Sequence, residues 1–104
     1  MKLLCLDIPQ PGSTMDKYQP HMADEARHAW KLYKGGIVRE MYFRQDRPGV
    51  AIIVEADSVD AATQALREFP LARAGLIDWY VIPLGPFLNW EILFASGNAR
   101  KEPT

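Results

Sequence analysis

The 104-residue chain carries 12 Lys and Arg against 13 Asp and Glu, a formal charge of −1, and 48% of its residues are hydrophobic. That length holds one domain rather than two, and the apolar share excludes an intrinsically disordered chain. A near-neutral balance with no lysine-rich run excludes the electrostatic footprint of a nucleic-acid binder, and disfavours an anionic membrane surface as partner.

The single cysteine, Cys5, rules out an internal disulfide and a cysteine-rich zinc site. The N-terminus is too short and too poor in basic residues for a secretory signal, and no apolar run approaches the roughly 20 residues of a membrane helix. The expectation is a soluble, cytoplasmic domain. Its aromatic share, 11%, is a heavy load for so small a body.

Residues 2–8 (KLLCLDI) form a short apolar run stopped by Pro9, Pro11 and Gly12, the pattern of a buried strand. Residues 9–19 read as loop. From about residue 20 to 34 the spacing changes to three and four. Met22, Ala26, Ala29, Trp30 and Tyr33 then share one helix face, and Gly35-Gly36 ends the helix. Residues 37–44 (IVREMYFR) and 50–56 (VAIIVEA), joined by the turn QDRPG, predict a hairpin. Ser58 is an N-cap for a second helix whose stripe is Val59, Ala62, Leu66 and Phe69, with Pro70 closing it. Residues 76–84 (LIDWYVIPL) read as the fourth strand.

The order is β-α-β-β-α-β, an α+β ferredoxin-like sandwich with the first and third strands central. Those two runs are nearly all apolar, whereas Arg39, Glu40 and Asp78 interrupt the edge strands. After Gly85-Pro86, apolar Leu88, Trp90, Ile92 and Phe94 alternate with Asn89 and Glu91, which predicts a fifth strand. One domain therefore spans residues 1–95, including a C-terminal arm at 85–95, and residues 96–104 read as a flexible polar tail. Two helices cover one sheet face and leave the other bare. Large apolar surfaces are uncommon on monomers, so the chain is expected to form a homodimer or larger homo-oligomer through that face and the arm.

Residues 23–84 carry a family likeness. Ala23-Asp24-Glu25 opens the first helix, followed by Ala29, Leu32, Gly36 and Arg39; Ser58-Val59-Asp60-Ala61, Leu66 and Pro70-Leu71 continue the match without a gap. On these residues the chain resembles muconolactone isomerase and its relatives in the dimeric α+β barrel superfamily. The stretch PLARAGLI at 70–77 is also similar to the corresponding turn of the YCII-related proteins. The resemblance implies a dimeric α+β barrel and a cofactor-independent isomerase. Met22 stands where that family usually has lysine, Glu40 where a histidine follows the strand arginine, and GPFL where it has His-Pro-Ser-Ser. The likeness thus transfers architecture more than substrate.

Several residues carry candidate chemistry. Simple alternation puts Arg39 on the face of Ile37, Met41 and Phe43, where its permanent charge needs an anion: a substrate carboxylate, or an ion pair with Asp7 or Glu25. Asp7 ends the first strand on the face of Leu3 and Cys5. An apolar cleft there would raise its pKa and suit it to acid or base work; capping the next loop is the plainer alternative. His21, Glu25 and His28 are spaced i, i+4, i+7 and lie on one arc away from the apolar stripe. A solvated or subunit-contact face explains them better than a metal site. Glu25, nearest the stripe and within the Ala-Asp-Glu run, is the best acid/base candidate, with His28 beside it. Tyr42 and Trp79, with Tyr80, suit an aromatic slot or core packing. Cys5 sits mid-strand and reads as inert.

The leading expectation is a cofactor-free proton shift on a small carboxylate-bearing lactone or related catabolic intermediate. Asp7, Glu25 and His28 are the catalytic candidates, and Arg39, His21, Tyr42 and Trp79 the binding ones. One rival is a cofactor-free monooxygenase acting on an aromatic substrate. The other is a non-catalytic binding or assembly protein. No metal, nucleic acid or membrane partner is implied.

Overall fold

The computed structural model describes residues 1–95. Strands β1 (Lys2–Pro9), β2 (Val38–Phe43), β3 (Val50–Glu55) and β4 (Ile77–Leu84) form one antiparallel sheet in the order β2-β3-β1-β4. The two most apolar strands take the centre, where both edges are paired. Pro83 lies on the edge strand β4, where a missing N–H need cost no ladder bond.

Strand alternation sends Leu3 and Cys5, Ile52 and Val54, and Ile77 and Trp79 to the helix side, where all are buried. Above them pack Ala62 and Leu66 of α3 (Val59–Arg67), Leu71 of α4 (Pro70–Arg73) and Phe69 at the junction. The Ser58 hydroxyl accepts the Ala61 N–H at 3.0 Å, the expected N-cap. Pro70 does not simply close a helix; it opens α4, since a first-turn proline has no N–H to waste. Trp79 Nε1 donates to the Leu66 carbonyl at 2.9 Å, fixing the indole beneath α3. The opposite face presents Leu4, Leu6, Ala51, Ile53, Tyr80 and Ile82 with no helix over them.

Three segments differ from expectation. Within the stretch read as loop, α1 (Met15–Tyr18) forms with Thr14 as N-cap, and a 3-10 turn (Gln19–His21) replaces the expected start of the next helix. A four-residue helix is too short to show a period. The stripe of α2 (Met22–Lys34) is rotated from the one expected. Leu32 is its buried residue and Ala29 packs on the core, whereas Trp30 and Tyr33 are 60% and 53% exposed. The inward face includes Glu25, whose charge hides that face from an apolar count.

The expected fifth strand is instead a 3-10 segment, Leu88–Phe94, with every residue exposed. Alternation makes a strand only where an edge is free to pair, and this segment joins no strand of the sheet. Its backbone closes local turns instead, such as Trp90 N–H to Phe87 carbonyl at 3.2 Å. The tail at 96–104 lies outside the described residues. Among the described residues no helix is long and apolar enough to cross a membrane.

Candidate functional site

Because α2 turns its bulky residues away from the core, it stands off the sheet and leaves a cleft of about 1240 Å³. Met22, Trp30 and Tyr33 of α2 form one wall, and Met41 and Phe43 of β2 contribute to the other, with Tyr42 between them bordering it. Asp7, Val50, Ile77 and Trp79 rise from the sheet beneath. Trp30 and Tyr33 stack with centroids 5.6 Å apart, a flat aromatic surface suited to a planar ring.

Four charged side chains line this apolar space: Asp7, Glu25, Arg44 and Arg47. Asp7 is 6% exposed. Its Oδ1 accepts the Val50 N–H at 2.9 Å, and Arg47 Nη1 stands 3.7 Å from the same oxygen. Arg47 Nη2 also donates to the Asp7 carbonyl at 2.6 Å, which ties the hairpin turn to the end of β1. Gly49 makes this approach possible, because a Cβ there would sit 2.6 Å from Asp7 Oδ1 and collide with the Arg47 guanidinium. Arg44 forks onto Asp46, and that pairing holds the Asp46 carboxyl down at about 2.

Glu25 is placed differently. Its Oε1 accepts the Leu71 N–H at 2.7 Å, a single bond that aims the carboxyl. Burial raises its pKa, the Leu71 N–H opposes that rise, and the Asp7 charge reinforces it. The cleft therefore holds two carboxyl groups with contrasting partners. Asp7 is fastened by an arginine and a backbone N–H, whereas Glu25 is desolvated and lightly held.

Of the expected site residues, Asp7, Glu25, Tyr42 and Trp79 line the cleft, and Arg39, His21 and His28 do not. The expected facing of Arg39 is corrected by a β-bulge. Val38 pairs with Val54 and Glu40 with Ile53, so Arg39 is the extra residue and alternation breaks there. Arg39 is exposed and its Nε donates to the Gly36 carbonyl at 2.9 Å; the Asp7 partner is Arg47 instead. His28 is not solvated either: it packs edge-on to Phe69 at 4.5 Å, with Nε2 3.2 Å from the Ala65 carbonyl. His21 is half-buried in the 3-10 turn. Burial pushes the Cys5 thiol up to about 11, far from a reactive thiolate. Among the described residues no three His, Cys, Asp or Glu side chains group as a metal would require.

Arg44, Arg47 and Gly49 went unmarked by sequence reasoning. They sit around a turn, and Arg47 meets a partner 40 positions away, for which local pattern has no signal.

No protein-family model and no curated protein matches the chain. Solved structures do. Muconolactone isomerase superposes with a TM-score of 0.64 at 21% identity, over 83% of this chain and 90% of that one. The 5-chloro-2-hydroxyhydroquinone dehydrochlorinase TftG of Burkholderia phenoliruptrix AC1100, in complex with 2,5-dihydroxybenzoquinone, gives 0.67 at 20% identity, over 82% and 94%. The chain thus shares the α+β fold of these two structures, the architecture that the resemblance at residues 23–84 implies.

Proposed function

We propose that the cleft binds a small planar ring compound activated by a carbonyl, such as a carboxylate-bearing lactone, and that Glu25 moves a proton on it without a cofactor. Glu25 carries this reading: a half-buried carboxyl in an aromatic-walled cleft, aimed by the Leu71 N–H, with its proton affinity raised. A group of that kind takes a proton from carbon beside a carbonyl and returns it at another ring position. The enolate formed between the two transfers needs positive charge nearby. Arg44 and Arg47 line the hairpin wall in place of the expected Arg39, and a substrate anion there competes with Asp46 and Asp7 for their guanidinium groups. Asp7 seats Arg47 and Trp79 shapes the ring slot, while Tyr42 borders the cleft with its ring turned to the outer sheet face, where its hydroxyl donates to Glu40.

The names of the two neighbours fit such chemistry: an isomerase shifts a proton, and a dehydrochlorinase removes one with chloride. The uncovered sheet face favours a sheet-to-sheet homodimer as the working unit. The aromatic walls also support a second reading, cofactor-free oxygenation of an aromatic ring, which oxygen uptake on a phenolic panel would reveal.

The test is deuterium incorporation and isomerisation in D2O, followed by NMR, across a panel of lactone carboxylates and hydroxyquinones. The native chain should accelerate exchange on at least one member, and Glu25→Gln should lower that rate by about 100-fold or more. Equal rates in the two proteins would remove Glu25 from the chemistry.

A further inference from the structure

We infer that the C-terminal segment of a second copy of this chain lies over the cleft and closes it, so that each cleft is completed in trans. The segment is built for contact: Phe87, Leu88, Trp90, Ile92 and Phe94 are 61%, 64%, 62%, 54% and 78% exposed. Aromatic side chains bury roughly 150–250 Å² each. The uncovered surface is therefore several hundred Å², comparable with the ~800 Å² one partner contributes to a stable interface.

In this structure the segment lies away from its own cleft. The cleft opens at the end of the sheet where Pro9 pairs with Ile77, whereas the segment departs from the end where Lys2 pairs with Leu84. The length of β4 separates the two, roughly 25 Å at strand rise. A second copy can present the segment there without the chain doubling back along β4.

The cleft suits the segment better than the bare sheet face does. Its rim carries exposed aromatics, Trp30, Tyr33 and Phe43, around a concave space that accepts knobs such as Trp90 and Phe94. The outer sheet face is flatter and largely aliphatic, with Leu4, Leu6, Ile53 and Ile82, which fits a second sheet. Glu91 is the one charge in Leu88–Phe94, so the face the segment offers is otherwise apolar, as the cleft rim is. Closure would exclude water around Glu25, but the docking holds whether or not the cleft catalyses. It therefore stands or falls apart from the proton-transfer reading.

Disulfide trapping between full-length chains tests it, with the native Cys5 buried and silent. Trp90→Cys protein is mixed with Tyr33→Cys protein under mild oxidation and run without reductant. The expected product is a mixed species of twice the chain mass. Trp90→Cys mixed with Tyr80→Cys, on the outer sheet face, should give none. Phe43→Cys replaces Tyr33→Cys as an independent cleft position and should behave alike. Preferential bonding to Tyr80→Cys, or no mixed product with either cleft variant, overturns the inference. So does a bond formed within a single chain when Trp90→Cys and Tyr33→Cys are combined.

Discussion

The two long helices cover the same sheet but treat it differently. α3 lays small and medium side chains flat on it, so Ala62, Leu66 and neighbouring Phe69 are fully buried. α2 buries Leu32 and turns Trp30 and Tyr33 outward, keeping Glu25 over the sheet. One half of the helix layer is a closed core, and the other is held open as a cleft. The lesson is that an open half depends on a closed one: α2 is anchored to the closed half through His28, which packs on Phe69 and through it reaches Trp79.

Removing bulk should therefore cost much on one side and little on the other. Phe69→Ala should destabilise the chain by about 3–5 kcal/mol, read from denaturant midpoints. Gly49→Ala comes next, at about 1–3 kcal/mol, because the added methyl collides with Arg47 and Asp7 and unseats the hairpin wall. Trp30→Ala should stay within about 0.5 kcal/mol despite deleting a larger side chain than Phe69. A loss for Trp30→Ala equal to that for Phe69→Ala would erase the distinction between the halves.

The smallest effect is a pH dependence confined to the open half. The Glu25 pKa is raised in the folded chain, so the native state binds that proton more tightly than the unfolded state does. Its contribution to stability is full below the ordinary carboxylate value of 4.5 and is lost as pH rises through the raised value. The stability of the native chain relative to Glu25→Gln should accordingly decline over that window and then level off. A flat difference across it would place Glu25 in ordinary solvent.

The closed half was the legible one. The period-two runs, the Ser58 cap and the Ala62/Leu66/Phe69 stripe follow from local pattern, because burial there is set by apolar residues at regular spacing. The open half was legible only in part. Asp7 and Glu25 were recognised as carboxyls near a buried layer, and Trp79 as a slot residue. Arg39 was misplaced by a bulge, which shifts alternation by one residue without any glycine or proline to announce it. The rotation of α2 was hidden because apolar residues there face the cleft rather than the core. Arg47 was missed because a 40-residue separation from Asp7 leaves no trace in composition or period.

The proposed proton transfer rests on Glu25 being desolvated inside the cleft. Carbon-13 NMR of glutamate-labelled chain, with Glu25→Gln to assign the resonance, reads its titration directly. The account predicts a Glu25 carboxyl that titrates above the ordinary value of 4.5. A midpoint at or below that value would contradict it.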